Sequence, residues 1–95
     1  RQVLVWMDGL ALFDDGSNIG EGSIHLLVDG NSVAGSWKWT DDNMWTNVKG
    51  QRLIDLGSGS HSMNVRVNTQ YAGVVKVNSD GAFQTCINYL VLGAQ

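Results

Sequence analysis

Residues 23–40 decide the fold, and they run SIHLLVDGNSVAGSWKWT. Apolar side chains occupy every second position from Ile24 to Val28, which is the period of a β-strand. The segment Asp29-Gly30-Asn31 follows, and Asp-Gly between two apolar stretches is a strong signal for a tight hairpin turn. We therefore predict two antiparallel strands, Ser23–Asp29 and Ser32–Thr40, joined by this turn.

The rest of the chain continues the same β pattern. It has twelve glycines and no proline, and between the turn residues it is rich in β-branched and aromatic side chains. No stretch carries the apolar stripe of a helix. Five more strands are predicted, at Gln2–Phe13, Val48–Leu56, His61–Thr69, Tyr71–Asn78 and Phe83–Leu92. Seven to eight short antiparallel strands at regular spacing indicate an all-β sandwich or barrel.

Composition limits what this chain does. Its 95 residues fit one hydrophobic core, so we expect a single domain over residues 1–95. A net charge of −3 argues against nucleic-acid binding, which depends on neutralising phosphates. No apolar run reaches the roughly 20 residues of a membrane-spanning helix. The single cysteine, Cys86, excludes an internal disulfide, and we expect it to be a small buried side chain in the last strand. Because the chain opens at Arg1 rather than Met, we expect it to be part of a longer protein.

Several strands are apolar on both faces. They are Val3–Met7, Leu26–Val28, Val74–Val75 and Leu90–Leu92. In a monomeric sandwich, one face of each sheet normally meets water and is polar. This pattern, together with only 16% charged residues, therefore predicts that another chain covers one sheet. The alternative is a tightly closed small barrel with ordinary exposed Leu and Val.

Catalytic and metal-binding patterns are weak. Asp55, Ser60 and His61 are the residue types of a serine nucleophile system, but the chain has no Gly-x-Ser-x-Gly elbow. We expect His61 to fill a pocket or to hydrogen-bond a turn, and His25 to lie at a surface or subunit contact. The histidines and Cys86 lack zinc-ligand spacing, and the acidic pairs at 14–15 and 41–42 lack the calcium-loop pattern. We predict no enzyme activity, no cofactor and no metal.

Tryptophan is unusually frequent for so short a chain. Trp6, Trp37 and Trp39 lie in predicted strands, where packing explains them. Trp45 lies in a polar stretch, Asp41 to Asn47, which we predict to be a loop. An aromatic residue among short amides and carboxylates is typical of ligand-contacting loops. We predict a receptor- or ligand-binding site there, with these residues: Trp45 as the anchor, and Asp41, Asp42, Asn43 and Asn47 around it. A second loop at the same end, Asp14 to Gly22, is a further candidate. The alternative is that Trp45 plugs the end of the sandwich.

Three segments, taken in order, resemble elements of one protein family. Leu56-Gly-Ser-Gly-Ser-His-Ser-Met-Asn-Val-Arg-Val67 resembles the "aliphatic, Gly-x-His, alternating Val strand" element of small β-sandwich heads on tailed-phage adhesion proteins. Ile24-His-Leu-Leu-Val-Asp-Gly30 resembles the hairpin that precedes that element. Ile87-Asn-Tyr-Leu-Val-Leu92 resembles the closing strand. The resemblance covers residues 3 to 92 and is to C-terminal domains of tail-tip host-specificity and tail-fibre proteins.

The resemblance implies a jelly-roll-like sandwich that is the C-terminal head of a longer chain and forms a homotrimer. It implies a non-enzymatic receptor-binding or fibre-capping function in the virion tail, assembled in the host cytoplasm, with a bacterial surface protein or glycan as receptor. Cys86 fits such a reducing compartment. Two alternatives stay open: a carbohydrate-binding module of a larger secreted protein, with Trp45 and Trp37 or Trp39 as a stacking platform, and a purely structural virion assembly domain.

Overall fold

Seven antiparallel strands build the part of the chain that the computed structural model describes, which is residues 1–14, 19–41, 45–69, 74–77 and 85–92. Their bounds are β1 Gln2–Asp14, β2 Ile19–Val28, β3 Asn31–Asp41, β4 Thr46–Asp55, β5 Met63–Thr69, β6 Val74–Val77 and β7 Cys86–Leu92. The predicted all-β antiparallel sandwich is confirmed. No helix among these residues could cross a membrane.

The strands form two sheets. In one sheet β1 is central, with β4 on one side and β6 and β7 on the other; in the second sheet β2 is central, between β3 and β5. β7 pairs with residues 2–8 of β1 and β6 with residues 11–14. The two short strands therefore share one position beside β1, so each sheet has three strand positions. The sandwich has six strand positions, fewer than the seven to eight separate strands predicted.

One core joins the two sheets. Its largest fully buried side chains come from β1 (Val5 and Met7), β2 (Ile24 and Leu26) and β4 (Val48). The alternation predicted for β2 is confirmed, since Ile24, Leu26 and Val28 are buried; burying one face of a strand removes its apolar side chains from water. We call the faces that carry this core the inner faces of the sheets, and the opposite faces the outer faces.

The β2–β3 hairpin turns at Asp29 and Gly30, as predicted. Both residues have positive φ, 51° and 82°, which is the backbone of a type I′ turn and suits the twist of antiparallel strands. A bulge interrupts the hairpin, because Leu26 faces Ala34 while Leu27 faces Ser32. The sequence pattern gave no sign of this bulge at Val33.

The two sides of the sandwich differ. β3 lies across from β4, and β5 lies across from β6 and β7. We call the β3/β4 side the closed side, since Val48 is fully buried there and a Cβ at Gly50 would be 3.3 Å from the Ala34 Cβ. We call the β5/β7 side the open side, because inner-face residues stay exposed there: Val65 37%, Val67 37%, Tyr89 65% and Val91 41%.

Several local predictions need correction. Gly9 was a candidate bulge or bend, yet β1 pairs with β4 without a break from Gln2 to Ala11. Gly9 is required instead because a Cβ there would overlap Thr85. Cys86 is exposed rather than buried, since it pairs with Asp8 on the outer face.

Residues 26–28 were predicted to be apolar on both faces because another chain covers one of them, and the structure gives a different reason. Leu26, Leu27 and Val28 are all buried within this chain, at 0%, 9% and 4% exposure. Central strand β2 therefore offers no free apolar face to a second subunit at these positions. Residues 90–92 are also apolar on both faces, and their side chains are exposed because β7 is an edge strand.

Candidate functional site

The predicted binding loop lies at the end of the sandwich where β1 and β3 finish and β2 and β4 begin, which we call the Trp45 end. Asp41 is the last residue of β3, and Asn47 lies within β4 opposite Leu10. The prediction of one loop from Asp41 to Asn47 is therefore too wide. The second predicted loop is also too wide, since Asp14 ends β1 and residues 19–22 belong to β2.

Trp45 is exposed over 46% of its surface, and Asn47 is exposed as well. An anchor residue must reach a partner from solvent, and a Trp that plugs a core must be buried, so this exposure favours the anchor. Asp42 and Asn43 lie outside the described residues, and so do the side chains of Asp41, Trp37 and Trp39. Their predicted roles stay predictions. Trp6 is half-buried on the outer face of the first sheet.

A second polar cluster forms at the opposite end of the sandwich, which we call the His61 end. The His61 Nδ1 lies 2.6 Å from Asp29 Oδ2, and its Nε2 lies 2.8 Å from the Gly57 carbonyl oxygen. A carboxylate and a carbonyl both accept hydrogen bonds, so both ring nitrogens must donate, and only the protonated imidazolium does this. The expected hydrogen bond from His61 to a turn is present, with an acidic partner that the sequence did not indicate.

Asp29 joins two loops through this cluster. Its Oδ1 accepts a 2.9 Å hydrogen bond from the Ser62 amide, and its own amide donates to the Ser62 carbonyl at 3.0 Å. These bonds fasten the β2–β3 turn to residues 57–62 and support the positive φ of Asp29, a residue type that tolerates this conformation. We call this group, Asp29, Gly57, His61 and Ser62, the Asp29–His61 clamp.

The clamp favours the charged forms of both side chains. The hydrogen bond to Asp29, followed by that to the Gly57 carbonyl, raises the pKa of His61 above its ordinary value of 6.5. The hydrogen bond from His61, followed by that from the Ser62 amide, lowers the pKa of Asp29 below its ordinary value of 3.8. A cationic His61 beside a carboxylate fits a structural ion pair.

A cleft of about 750 Å³ opens beside the clamp, between the two sheets on the open side. Its floor is apolar, and its polar lining includes Arg1 and His61. The full lining is Arg1, Val3, Val5, Val28, Leu56, Gly57, Ser58, Gly59, His61, Met63, Tyr89 and Val91. A cleft of this size is within the range of ligand sites, and no sequence pattern indicated it.

Among the described residues no three His, Cys, Asp or Glu side chains come together as a metal site would require. The sequence offered Asp55, Ser60 and His61 as the residue types of a serine nucleophile system, but His61 hydrogen-bonds to Asp29 rather than to Asp55. Comparison of the chain with protein-family models, curated proteins and solved structures gives no match.

Proposed function

We propose that this chain is a non-enzymatic receptor-binding or fibre-capping domain of a bacteriophage tail tip or tail fibre, which works as a homotrimer at the bacterial surface. The observation that carries the proposal is an exposed row of leucines on the outer face of the first sheet. Leu4 of β1 pairs with Leu53 of β4 and with Leu90 of β7, so the three side chains cross the sheet side by side. We call them the leucine row.

The leucine row is apolar surface that one subunit leaves in water. Leu53 is 46% exposed and Leu90 is 52% exposed, and Leu92 beside them is 37% exposed. Trp6 borders the row on its other side, where it pairs with Asn88. Contiguous apolar surface of this kind is typical of an interaction site, and three copies around an axis would cover it with identical side chains.

The total surface supports a subunit contact as well. The chain exposes 6026 Å², whereas a compact monomer of 10.3 kDa exposes about 5,400 Å². The surplus over a compact monomer is therefore roughly 600 Å². Part of it comes from the elongated shape, 51 × 27 × 17 Å, which itself presents long sheet faces to a neighbour.

Receptor contact belongs at the Trp45 end in this proposal. Trp45 is an exposed aromatic residue at the start of an edge strand, and such residues dominate interface energies when they become buried. The leucine row lies toward the His61 end, because Leu4 is near the start of β1 and Leu90 near the end of β7. Assembly and recognition would then use separate surfaces.

Light scattering tests the assembly. The wild-type chain at micromolar concentration should have three times the 10.3 kDa mass, and Leu90→Lys should convert it to a monomer because three charges would be buried together. Asn64→Lys is the matched control, since it adds the same charge at an exposed position of β5 and should leave the trimer intact. A monomeric wild type would refute the trimer.

The carbohydrate-binding alternative keeps one specific observation in its favour, the exposed Trp45 beside the exposed Asn47. A carbohydrate module works as a monomer and needs no apolar outer face. Binding of the wild-type chain and of Trp45→Ala to a glycan array distinguishes the two. Monomeric mass with glycan binding that Trp45→Ala abolishes would replace the tail proposal by this one, and a trimer without binding to bacterial surfaces would leave only the structural assembly function.

A further inference from the structure

Within the described residues, no strand covers the inner faces of β5 and β7 on the open side of the sandwich. Two inner-face rows line it: Met63, Val65 and Val67 on β5, and Ile87, Tyr89 and Val91 on β7. Valine in the same inward orientation on the closed side, at position 48, is 0% exposed, whereas Val65 and Val67 are each 37% exposed. The side chains that should meet across the core on the open side meet solvent instead.

Both strands at the open side are sheet edges. β5 pairs with β2 and β7 with β1, and no other described strand pairs with either. An edge strand presents backbone N–H and C=O groups that can pair with an added strand. A strand added at this place would direct every second side chain between the two rows, because side chains alternate between the faces of a sheet.

Charge distinguishes the β7 edge from the others. Natural edge strands usually carry charged residues that prevent pairing with other chains. β4 contains Lys49, Arg52 and Asp55, β5 contains Arg66, and β3 contains Lys38 and Asp41. β7 reads CINYLVL and contains no charged residue. β6 contains Lys76, so among the described edge strands β7 is the one that lacks this protection.

The cleft next to β7 indicates what kind of strand would fit. Its floor, formed by Val3, Val5 and Val28, is aliphatic, so it suits apolar side chains. At the His61 end its lining includes Arg1 and the imidazolium of His61. The Asp29 carboxylate does not line the cleft and is already engaged with His61 and Ser62. Since Asp29 already balances the charge of His61, the cation of this lining that a carboxylate on the occupant would complement is Arg1.

We propose that the open side binds an extended peptide segment of a partner protein, which pairs with the edge of β7, places apolar side chains at alternate positions between β5 and β7, and ends in an acidic residue beside Arg1. The site uses the inner face of β7. The trimer proposed above uses the outer face of the same strand, so the two proposals are independent of each other.

Titration of the ¹⁵N-labelled chain with a blocked peptide, Thr-Val-Thr-Val-Thr-Val-Thr-Asp, tests the proposal by NMR. We expect amide shifts along β7 and β5, and a dissociation constant below about 1 mM. A control peptide of the same composition with its three valines adjacent should bind about tenfold more weakly or worse, because it cannot present one apolar face. Replacing the terminal Asp by Asn should weaken binding by a few-fold and reduce its salt dependence.

Two neighbouring residues of β7 provide matched variants. Tyr89→Lys places a charge on the inner face and should weaken peptide binding about tenfold or more. Leu90→Lys places the same charge on the outer face and should leave peptide binding unchanged, while it disrupts the proposed trimer. Both positions are more than half exposed, so both variants should fold. If the chain proves not to be a trimer, Tyr89→Lys should still weaken peptide binding.

Several results would overturn the proposal. They are an absence of shifts at about 1 mM peptide, shifts away from β5 and β7, or equal binding of the two valine arrangements. Amide shifts on β7 that depend on protein concentration without peptide, and that Tyr89→Lys abolishes, would show that a second copy of this chain occupies the open side rather than a partner peptide.

Discussion

The closed and open sides of the sandwich use similar strands and reach opposite results. On the closed side Gly50 of β4 faces Ala34 and Gly35 of β3, and a Cβ at Gly50 would lie 3.3 Å from atoms of both. On the open side the inner faces carry Met63 and Tyr89. Small residues let two sheets approach closely. The sandwich therefore has one edge where the sheets are in close contact and one edge where inner-face side chains stay exposed.

This difference separates stability from recognition. Side chains on the closed side exclude water and contribute to the free energy of unfolding in proportion to the apolar area they bury. Side chains on the open side keep much of that area in water, so their burial remains available to a partner. Substitutions of the same type on the two sides should therefore have very different effects.

The largest effect is expected for a matched pair of valines that both face inward from edge strands. Val48→Asp places a carboxylate in a site with 0% exposure and should lower the free energy of unfolding by more than about 4 kcal/mol, since no partner would satisfy the charge. Val65→Asp, at 37% exposure, can keep its carboxylate in water and should cost about 1 kcal/mol or less. Urea denaturation measures both. Similar losses would mean that the open side is sealed in solution.

The next effect concerns the anchor that holds β7 on the sheet. Thr85 precedes β7, and its Oγ1 accepts a hydrogen bond from the Leu10 amide at 3.1 Å and donates one to the Leu10 carbonyl at 3.0 Å. Gly9 allows this approach, since a Cβ there would overlap Thr85. Gly9→Ala should therefore cost about 1–3 kcal/mol of unfolding free energy.

Gly57→Ala is the control for Gly9→Ala. A Cβ at Gly57 meets no atom within 4 Å, so this change should be neutral or stabilise the chain by about 0.4–1 kcal/mol through the unfolded state. Thermal melts of the two variants can be compared directly. Equal melting temperatures would show that the Thr85 anchor does not hold β7 in place.

The sequence predicted those features that depend on neighbouring residues. Alternation placed Ile24, Leu26 and Val28 inward, and Asp29-Gly30 located the hairpin. The prediction that Cys86 is buried was wrong, because alternation divides the side chains of a strand between two faces but does not show which face meets the core. For β7 the pairing with β1 settles this, since Ile87 faces Met7 and Cys86 faces Asp8.

Features that depend on distant residues were not predictable in this way. Asp29 and His61 are 32 positions apart, and only the sheet order brings their loops together. The open side was missed for a similar reason. Apolar and polar side chains alternate along residues 61–69, which predicts a strand with one buried face. The exposure of Val65 and Val67, however, depends on what the opposite sheet places across from them.

A smaller effect is expected from pH at the clamp. The raised pKa of His61 means that its contribution to stability is complete below the ordinary value of 6.5 and is lost as pH rises through the folded-state pKa. The lowered pKa of Asp29 means that its contribution to stability is present above 3.8 and is lost as pH falls through the folded-state pKa. The melting temperature should therefore be highest between these two values and should decline toward alkaline pH.

Matched variants assign this pH dependence. His61→Asn should remove the alkaline decline, and Asp29→Asn should remove it too, because the carboxylate partner is lost while Asn still tolerates the positive φ. His25→Asn replaces the other histidine of the chain and should keep the decline. If His61→Asn and the wild type show the same melting temperature at every pH, the clamp contributes nothing in solution.

The smallest effect on stability is expected at Trp45, where the same change should matter most for binding. With 46% of its surface in water, the side chain contributes little to the core, so Trp45→Ala should lower the free energy of unfolding by about 1 kcal/mol or less. A Trp that plugged the sandwich would cost about 3–5 kcal/mol. Binding to bacterial surfaces or to a glycan should instead weaken by about 2 kcal/mol or more, as for an anchor residue. Since both quantities come from one variant, large destabilisation with unchanged affinity per folded molecule would assign Trp45 to the core and remove the binding site from this end.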